Sequence, residues 1–296
     1  MNGKSDSRKV IFVGGTSFSG STLLDMILAN DRAGFSLGEI YALFRPGKRH
    51  HLTEIRRLRK DTRWASILRG GENCLYRNLF STFSEVDFFV DSSKEVFWMK
   101  KQQRILKRLG IPFRNVLIHK SPAEVALSYG KRGAHGRWAA AFVKYHREYF
   151  RLFGADFTSI SYKRLVTNPG DLEELCTDLG INYFSGKEKY WEKSHQTFFG
   201  NQRAKAHLEN FSIIGNENKA DLAREGEKTL YYNPPPDSVM AAIESQKLSS
   251  VWRIHSILNG NRKNADLPTK AVVLPRLRNF IARTLKKVFY RFLPLT

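Results

Sequence analysis

Val10-Ile-Phe-Val-Gly-Gly-Thr-Ser-Phe-Ser-Gly-Ser-Thr-Leu-Leu24 decides the reading of this chain. The apolar run Val10–Val13 enters a turn rich in glycine and hydroxyls, and the residues from Leu23 to Leu28 then read as a helix. Strand, glycine-rich loop and helix start, in that order, make a seat for an anion. The first amides of a helix have no partner inside it, and the helix dipole favours negative charge there. Glycines let the backbone approach a phosphate closely, and serine and threonine hydroxyls add donors. Gly15, Gly20 and Thr22 have the spacing of a nucleotide-triphosphatase loop, but Ser21 stands at the position of its lysine. Without that cation the loop suits a nucleotide with one phosphoryl-type group at its 5′ end and no γ-phosphate. The plain alternative is an ordinary Gly/Ser turn between a strand and a helix.

Working outward, the 296 residues suffice for one large α/β domain or two small ones, and a hydrophobic share of 42% supports a full core rather than disorder. Lys and Arg number 49 against 28 Asp and Glu, a net charge of +21, which favours polyanionic partners without saying which. Cys74 and Cys176 show neither metal-ligand spacing nor a disulfide framework, as expected in a reducing compartment. The stretch Met1–Lys9 is polar and the apolar run after it is short, so no signal peptide or transmembrane helix is expected. The expected location is cytoplasmic, with peripheral contact at a membrane left open.

Asp87–Val90, Arg114–Ile118 and Thr158–Tyr162 read as three further buried strands. Helices are expected over Gly20–Asn30, Phe97–Leu109, Pro122–Arg132, Arg137–Phe153, Asp171–Leu179 and Asp237–Ser249. This alternation predicts an α/β fold: a three-layer, P-loop-type parallel sheet flanked by helices. In such sheets ligands bind beyond the carboxyl ends of the strands. The main domain is expected over 1–265, with a basic helical insertion or lid at 45–77. A basic tail covers 266–296. Within it, Leu277, Phe280, Ile281, Leu285, Val288, Phe289 and Phe292 share one helical face among arginines and lysines. That amphipathic C-terminal helix, 275–292, suits either an anionic membrane surface or packing on the domain.

Three features beyond the loop make the chain resemble sulfotransferases that use 3′-phosphoadenosine 5′-phosphosulfate (PAPS). Ser19-Gly-Ser-Thr-Leu-Leu24 looks like the family's 5′-phosphosulfate loop, and Lys120-Ser-Pro122 with Ser128 is similar to the Arg-Asp-Pro…Ser element that holds the 3′-phosphate. Tyr162-Lys-Arg-Leu-Val-Thr-Asn-Pro169, followed by Leu179-Gly-Ile181, matches the family's downstream signature. Val90-Asp-Ser-Ser-Lys94 looks like a segment of bacterial and carbohydrate-type members. Two positions depart: Phe18 stands where the family carries Lys or Arg, and Lys120-Ser121 replaces Arg-Asp.

The resemblance implies sulfuryl transfer from PAPS, as co-substrate, to a hydroxyl acceptor such as a glycan, a lipid-linked sugar, a small alcohol or a phenol. It assigns donor binding to Ser17, Ser19, Gly20, Ser21, Thr22, Lys120, Ser128 and Arg203. Glu39, in a Gly-Glu pair like that of protein-tyrosine sulfotransferases, becomes the base. Lys94 becomes the cation at the bridging oxygen, and His119 is the rival base. His195 and His207 are weighed as acceptor contacts against plain exposure. The transfer calls for no metal, and the adjacent His50 and His51 are poorly placed to share one. Two other classes stay open. One is a P-loop nucleotide or small-molecule kinase in which Asp91 holds a metal. The other is a degenerate, non-catalytic domain that binds nucleic acid or anionic membrane by charge. Nucleic acid is not the expected partner, because the chain has no zinc-knuckle or RNP-type element.

Overall fold

The computed structural model describes residues 8–193, 195–201, 204, 205, 224, 226–228, 230–246 and 248–260. Five strands, β1 (Lys9–Gly14), β2 (Gly34–Gly38), β3 (Phe88–Asp91), β4 (Phe113–His119) and β5 (Thr158–Ser161), form one sheet in the order β2-β3-β1-β4-β5. β1 and β2 both pair with β3 in parallel. The flanking helices are α1 (Ser21–Ala29), α2 (Tyr41–Phe44), α3 (Arg49–Leu58), α4 (Thr62–Arg69), α5 (Leu75–Thr82) and α6 (Val96–Arg108). They continue as α7 (Pro122–Gly130), α8 (Trp138–Phe153), α9 (Tyr162–Thr167), α10 (Pro169–Leu179), α11 (Asp237–Glu244) and α12 (Ser249–Leu258). The fold is therefore the expected α/β class. Val10–Val13, Phe89 and Val90 are wholly buried, which is why these strands read as unbroken apolar runs rather than alternating ones.

Three elements differ from the sequence reading: β2, the region after Asp237, and α9, a helix that begins at Tyr162 where the strand reading ended. β2 was not foreseen as a strand: Gly-Phe-Ser-Leu-Gly has little intrinsic strand preference. Its pairing with β3 holds it extended, with a register shift between Ser36 and Gly38. The helix expected over Asp237–Ser249 ends at Glu244 as α11, and a further helix, α12, follows from Ser249. The apolar spacing of Val251, Ile254, Ile257 and Leu258 carries the second helix.

The chain divides into two compact units. The first comprises Met1–Gly14, Ser21–Val116 and Asn168–Tyr231. In it α1 packs on β1, β2 and β3 through Leu24, Met26, Ile27 and Leu28. The end of α1 is closed by two lysines. Lys193 Nζ donates to the carbonyls of Ala29, Asp31 and Gly34, and Lys187 Nζ donates to that of Asn30 at 3.2 Å. Both cations sit where a helix leaves its carbonyls unpaired and its dipole is negative.

The second unit comprises Gly15–Gly20, Leu117–Thr167 and Tyr232–Thr296. There α7 packs against α8 and α11, and α12 against α8. α7 opens with a capping box between Ser121 and Glu124 and with Pro122 in its first turn. The tail 266–296, with its helix at 275–292, lies outside the described residues.

Candidate functional site

In the second unit the glycine-rich loop is fixed by aromatic side chains. Tyr145 Oη accepts from the Gly15 amide at 2.8 Å, and the Ser19 amide donates to the Thr16 carbonyl at 3.2 Å. Gly20 has φ 101°, and a Cβ there would lie 2.5 Å from Cδ2 of Tyr162. Only glycine meets both demands. The face of the same Tyr162 ring carries Lys120, with Nζ 4.3 Å from the centroid. One aromatic plate thus joins the loop to the cation at the end of β4. Burial pushes the Lys120 ammonium pKa down; Glu124 opposes that shift, and Arg132 and Lys131 add to it. A partly desolvated lysine among other cations is relieved by an anion.

Phe18 and Arg132 make the second cationic element. Phe18 holds φ 70°, uncommon outside glycine, and its ring meets Tyr129 edge-on at 5.2 Å. The Arg132 guanidinium lies 3.9 Å from the Phe18 centroid, a cation–π arrangement. The Arg132 Nη1 also donates to the Ser128 carbonyl at 2.9 Å. A guanidinium therefore lies over the ring at position 18, where the sequence itself carries no charge. Burial raises the Tyr129 phenol pKa, and the neighbouring Ser17 hydroxyl opposes that shift. Ser128 is half-buried on α7.

The remaining donors are open. Among the described residues the amides of Gly20, Ser21 and Thr22 donate to no protein group. The buried Ser19 Oγ has no hydrogen-bond partner there either. An orphaned buried hydroxyl next to open helix-start amides fits an anionic ligand. Thr22 Oγ1, in contrast, accepts from the Asn201 amide at 3.1 Å and anchors that segment.

In the first unit Glu39 and Lys94, 55 residues apart, form an ion pair: Lys94 Nζ donates to Glu39 Oε1 at 2.5 Å. Their side chains are 29% and 20% exposed, so the pair is reachable but largely shielded. Lys94 has φ 63°, a left-handed backbone that directs a long side chain from the end of β3. A buried network fixes both partners. Ser92 Oγ donates to Asp25 Oδ2 at 2.5 Å, and the Ser92 amide donates to the Gly38 carbonyl at 2.9 Å. Ser93 Oγ accepts from the Tyr41 amide at 3.0 Å and donates to Asp91 Oδ1 at 2.5 Å. Asp91 also accepts from Tyr76 Oη at 2.6 Å, Trp98 Nε1 at 3.1 Å and the Ser93 amide at 2.8 Å. Burial raises Asp25 to about 7 and outweighs the opposing effect of the neighbouring Ser36 and Ser92 hydroxyls.

Other candidates fall elsewhere. His119 is buried, and burial followed by the charges of His146, His255 and Arg164 lowers it to about 3. A group that weakly basic is a poor proton acceptor near neutral pH. His195 Nε2 bonds the Tyr190 carbonyl at 2.8 Å. Arg203 and His207 lie outside the described residues. Asp25, Tyr145 and Arg132 were not foreseen. Asp25 reads as one polar residue in an apolar helix, which is itself a signal; Arg132 is hidden among many arginines.

Neither a scan against family models nor a search of curated proteins found a match. Among solved structures, one similar chain is a sulfotransferase domain from the Synechococcus PCC 7002 olefin synthase, at 16% identity and TM-score 0.45. That match covers 99% of this chain and 100% of the other. A second is a sulfotransferase domain from the curacin biosynthetic pathway, at 18% identity and TM-score 0.47. It covers 85% of this chain and 98% of the other. Among the described residues no helix is long and apolar enough to cross a membrane, and no group of three or more His, Cys, Asp or Glu could hold a metal ion.

Proposed function

We propose that this chain is a PAPS-dependent sulfotransferase acting on a hydroxyl acceptor. The observation that carries the reading is the Tyr162 plate, with Lys120 on its face and Gly20 at its edge. It supports one adenylate being held by a cation at its 3′ side and by open main-chain donors at its 5′ side. Bound PAPS supplies an activated sulfuryl group with a phosphate oxygen as leaving group. Gly20, Ser21, Thr22 and Ser19 hold the 5′ end through amides and a hydroxyl. Lys120 and Ser128 hold the 3′-phosphate, with Ser17 in the loop. Arg203 is proposed to reach the donor as well.

Glu39 takes the proton of the attacking hydroxyl, and Lys94 holds the carboxylate in place until then. Once Glu39 is neutral, Lys94 is released to stabilise charge on the leaving oxygen. The four donors on Asp91 count against the kinase reading, because that carboxylate is already committed to protein groups. The reading is tested by Glu39→Gln. Formation of adenosine 3′,5′-bisphosphate from PAPS, followed by chromatography, should fall at least about a hundredfold while nucleotide binding is kept. Full turnover in that variant would remove Glu39 from the chemistry.

A further inference from the structure

We infer that residues 197–201 are a strap that ties the Thr22 hydroxyl to the backbone of Glu39, which makes Gly200 and Asn201 positioning residues for both groups; the part played by the donor rests on the transferase reading above. β2 is an edge strand of the sheet, and a bare edge is a row of unpaired amides and carbonyls. Phe198 covers that edge beside Glu39. The Phe198 amide donates to the Leu37 carbonyl at 3.3 Å, and the Glu39 amide donates to the Phe198 carbonyl at 2.7 Å, a parallel bridge opposite Gly38. Gly38 permits this approach, since a Cβ there would lie 2.2 Å from the Phe198 oxygen. The Phe198 ring is buried edge-on against Trp64 of α4, with centroids 4.8 Å apart.

The strap then reverses towards the start of α1. Phe199 and Gly200 have φ 54° and 83°, two left-handed residues in succession. That backbone is disfavoured for a phenylalanine, and packing holds it. The Phe199 ring lies 4.5 Å from that of His51 on α3, and Lys205 Nζ donates to the carbonyls of Thr197 and Phe199 at 3.2 and 3.0 Å. At position 200 a Cβ would meet Thr22 Oγ1 at 2.7 Å, so glycine is required for space as well as for φ. The next amide, that of Asn201, donates to Thr22 Oγ1 at 3.1 Å.

A hydroxyl has one hydrogen and two lone pairs. Thr22 Oγ1 spends a lone pair on Asn201, so its hydrogen points away from the strap. Among the described residues that hydrogen has no protein acceptor, although Thr22 is only 4% exposed. A buried donor in this state is satisfied by a ligand; in the transferase reading the ligand atom is an oxygen of the donor's 5′ group. Donation to an anion polarises the hydroxyl and strengthens the bond that it accepts. Only Phe199 and Gly200 separate Asn201 from Phe198. A firmer tie at Thr22 therefore firms the Phe198–Glu39 bond at the other end of the strap, and donor binding sets the base. Thr22, Glu39 and the strap all belong to the first compact unit.

The test is amide hydrogen exchange of the whole protein, resolved to the Glu39 amide by mass spectrometry with electron-transfer fragmentation. Thr22→Val keeps the shape of the side chain and removes the hydroxyl; Thr22→Ser keeps the hydroxyl. Without nucleotide, Glu39 should exchange at least about threefold faster in Thr22→Val than in the parent, and within about twofold of the parent in Thr22→Ser. The Met99 amide, which donates to the Glu95 carbonyl at 2.9 Å, is the control for general loosening and should not change. Adenosine 3′,5′-bisphosphate at saturation should slow Glu39 at least about threefold in the parent and in Thr22→Ser, and leave it unchanged in Thr22→Val. Three results would overturn the inference: equal Glu39 exchange in Thr22→Val and the parent, a rise at Met99 as large as that at Glu39, or a parent that binds the nucleotide with Glu39 exchange unaltered. If the nucleotide does not bind the parent, the donor reading fails, and the nucleotide-free comparison alone decides whether the strap ties Thr22 to Glu39.

Discussion

The role proposed for Lys94 and the strain of its backbone can be separated by replacing it with glycine and with alanine. A non-glycine residue in the left-handed region is disfavoured by about 1–2 kcal/mol, and Lys94 sits there at φ 63°. Glycine releases that strain but loses about 0.5–1 kcal/mol through the freedom of its unfolded chain. Both variants lose the ion pair with Glu39, worth about 0.2–1 kcal/mol for partners as solvent-accessible as these. Lys94→Ala should thus be destabilised by up to about 1 kcal/mol, and Lys94→Gly should be more stable than Lys94→Ala by about 0.5–1 kcal/mol. In a chain of this size that difference is about 1–4 °C in Tm, measurable by calorimetry. Turnover of PAPS should fall about a hundred- to a thousandfold in both, because each lacks the cation at the developing charge. An alanine variant more stable than the glycine one would refute the strain argument. Retained turnover in either variant would refute the role of the ammonium.

Gly20→Ala places a Cβ 2.5 Å from Tyr162 at φ 101°; it should destabilise by about 2–4 kcal/mol and abolish nucleotide binding, checked by denaturant melts and calorimetry. Asp25 is raised to about 7 from an unfolded value of 3.8, so between those values the folded state holds a proton that the unfolded state has lost. Its contribution is complete below pH 3.8 and is lost as pH rises through about 7. Asp25→Asn should therefore remove a decline of up to about 1.4 kcal/mol per pH unit in that window, read from urea midpoints across pH. On the acid side His119 and His146, lowered to about 3 and about 4, act in the opposite sense. Their stabilisation is present above pH 6.5 and is lost as pH falls towards those values. His146→Gln should flatten the acid limb, and an unchanged limb would count against this assignment.

The sequence displayed the strands whose both faces are buried, because such strands need uninterrupted apolar runs: Val10–Val13 and Val116–Ile118 are of this kind. It hid β2, whose extended shape comes from pairing with β3 and not from Gly34-Phe-Ser-Leu-Gly38 itself. Glu39 and Lys94 could each be singled out by local context, yet their pairing was not readable, since it depends on β2 lying beside β3. The placement of Arg132 was hidden for a related reason: position 18 alone reports an aromatic ring, and only the fold reveals the guanidinium stacked on it. Asp25 shows the reverse case. A carboxylate inside Leu23-Leu24-Asp25-Met26-Ile27 contradicts the apolar pattern, and that contradiction marks the network beneath Gly38 and Ser92.

The most direct measurement is calorimetric titration of the whole protein with adenosine 3′,5′-bisphosphate and, separately, with adenosine 5′-monophosphate. A charge-assisted contact to the 3′-phosphate should make the bisphosphate about 10–100-fold tighter, and Lys120→Ala should erase most of that preference. Equal affinity for the two nucleotides, or a preference that survives the loss of Lys120, would contradict the proposed grip on the donor.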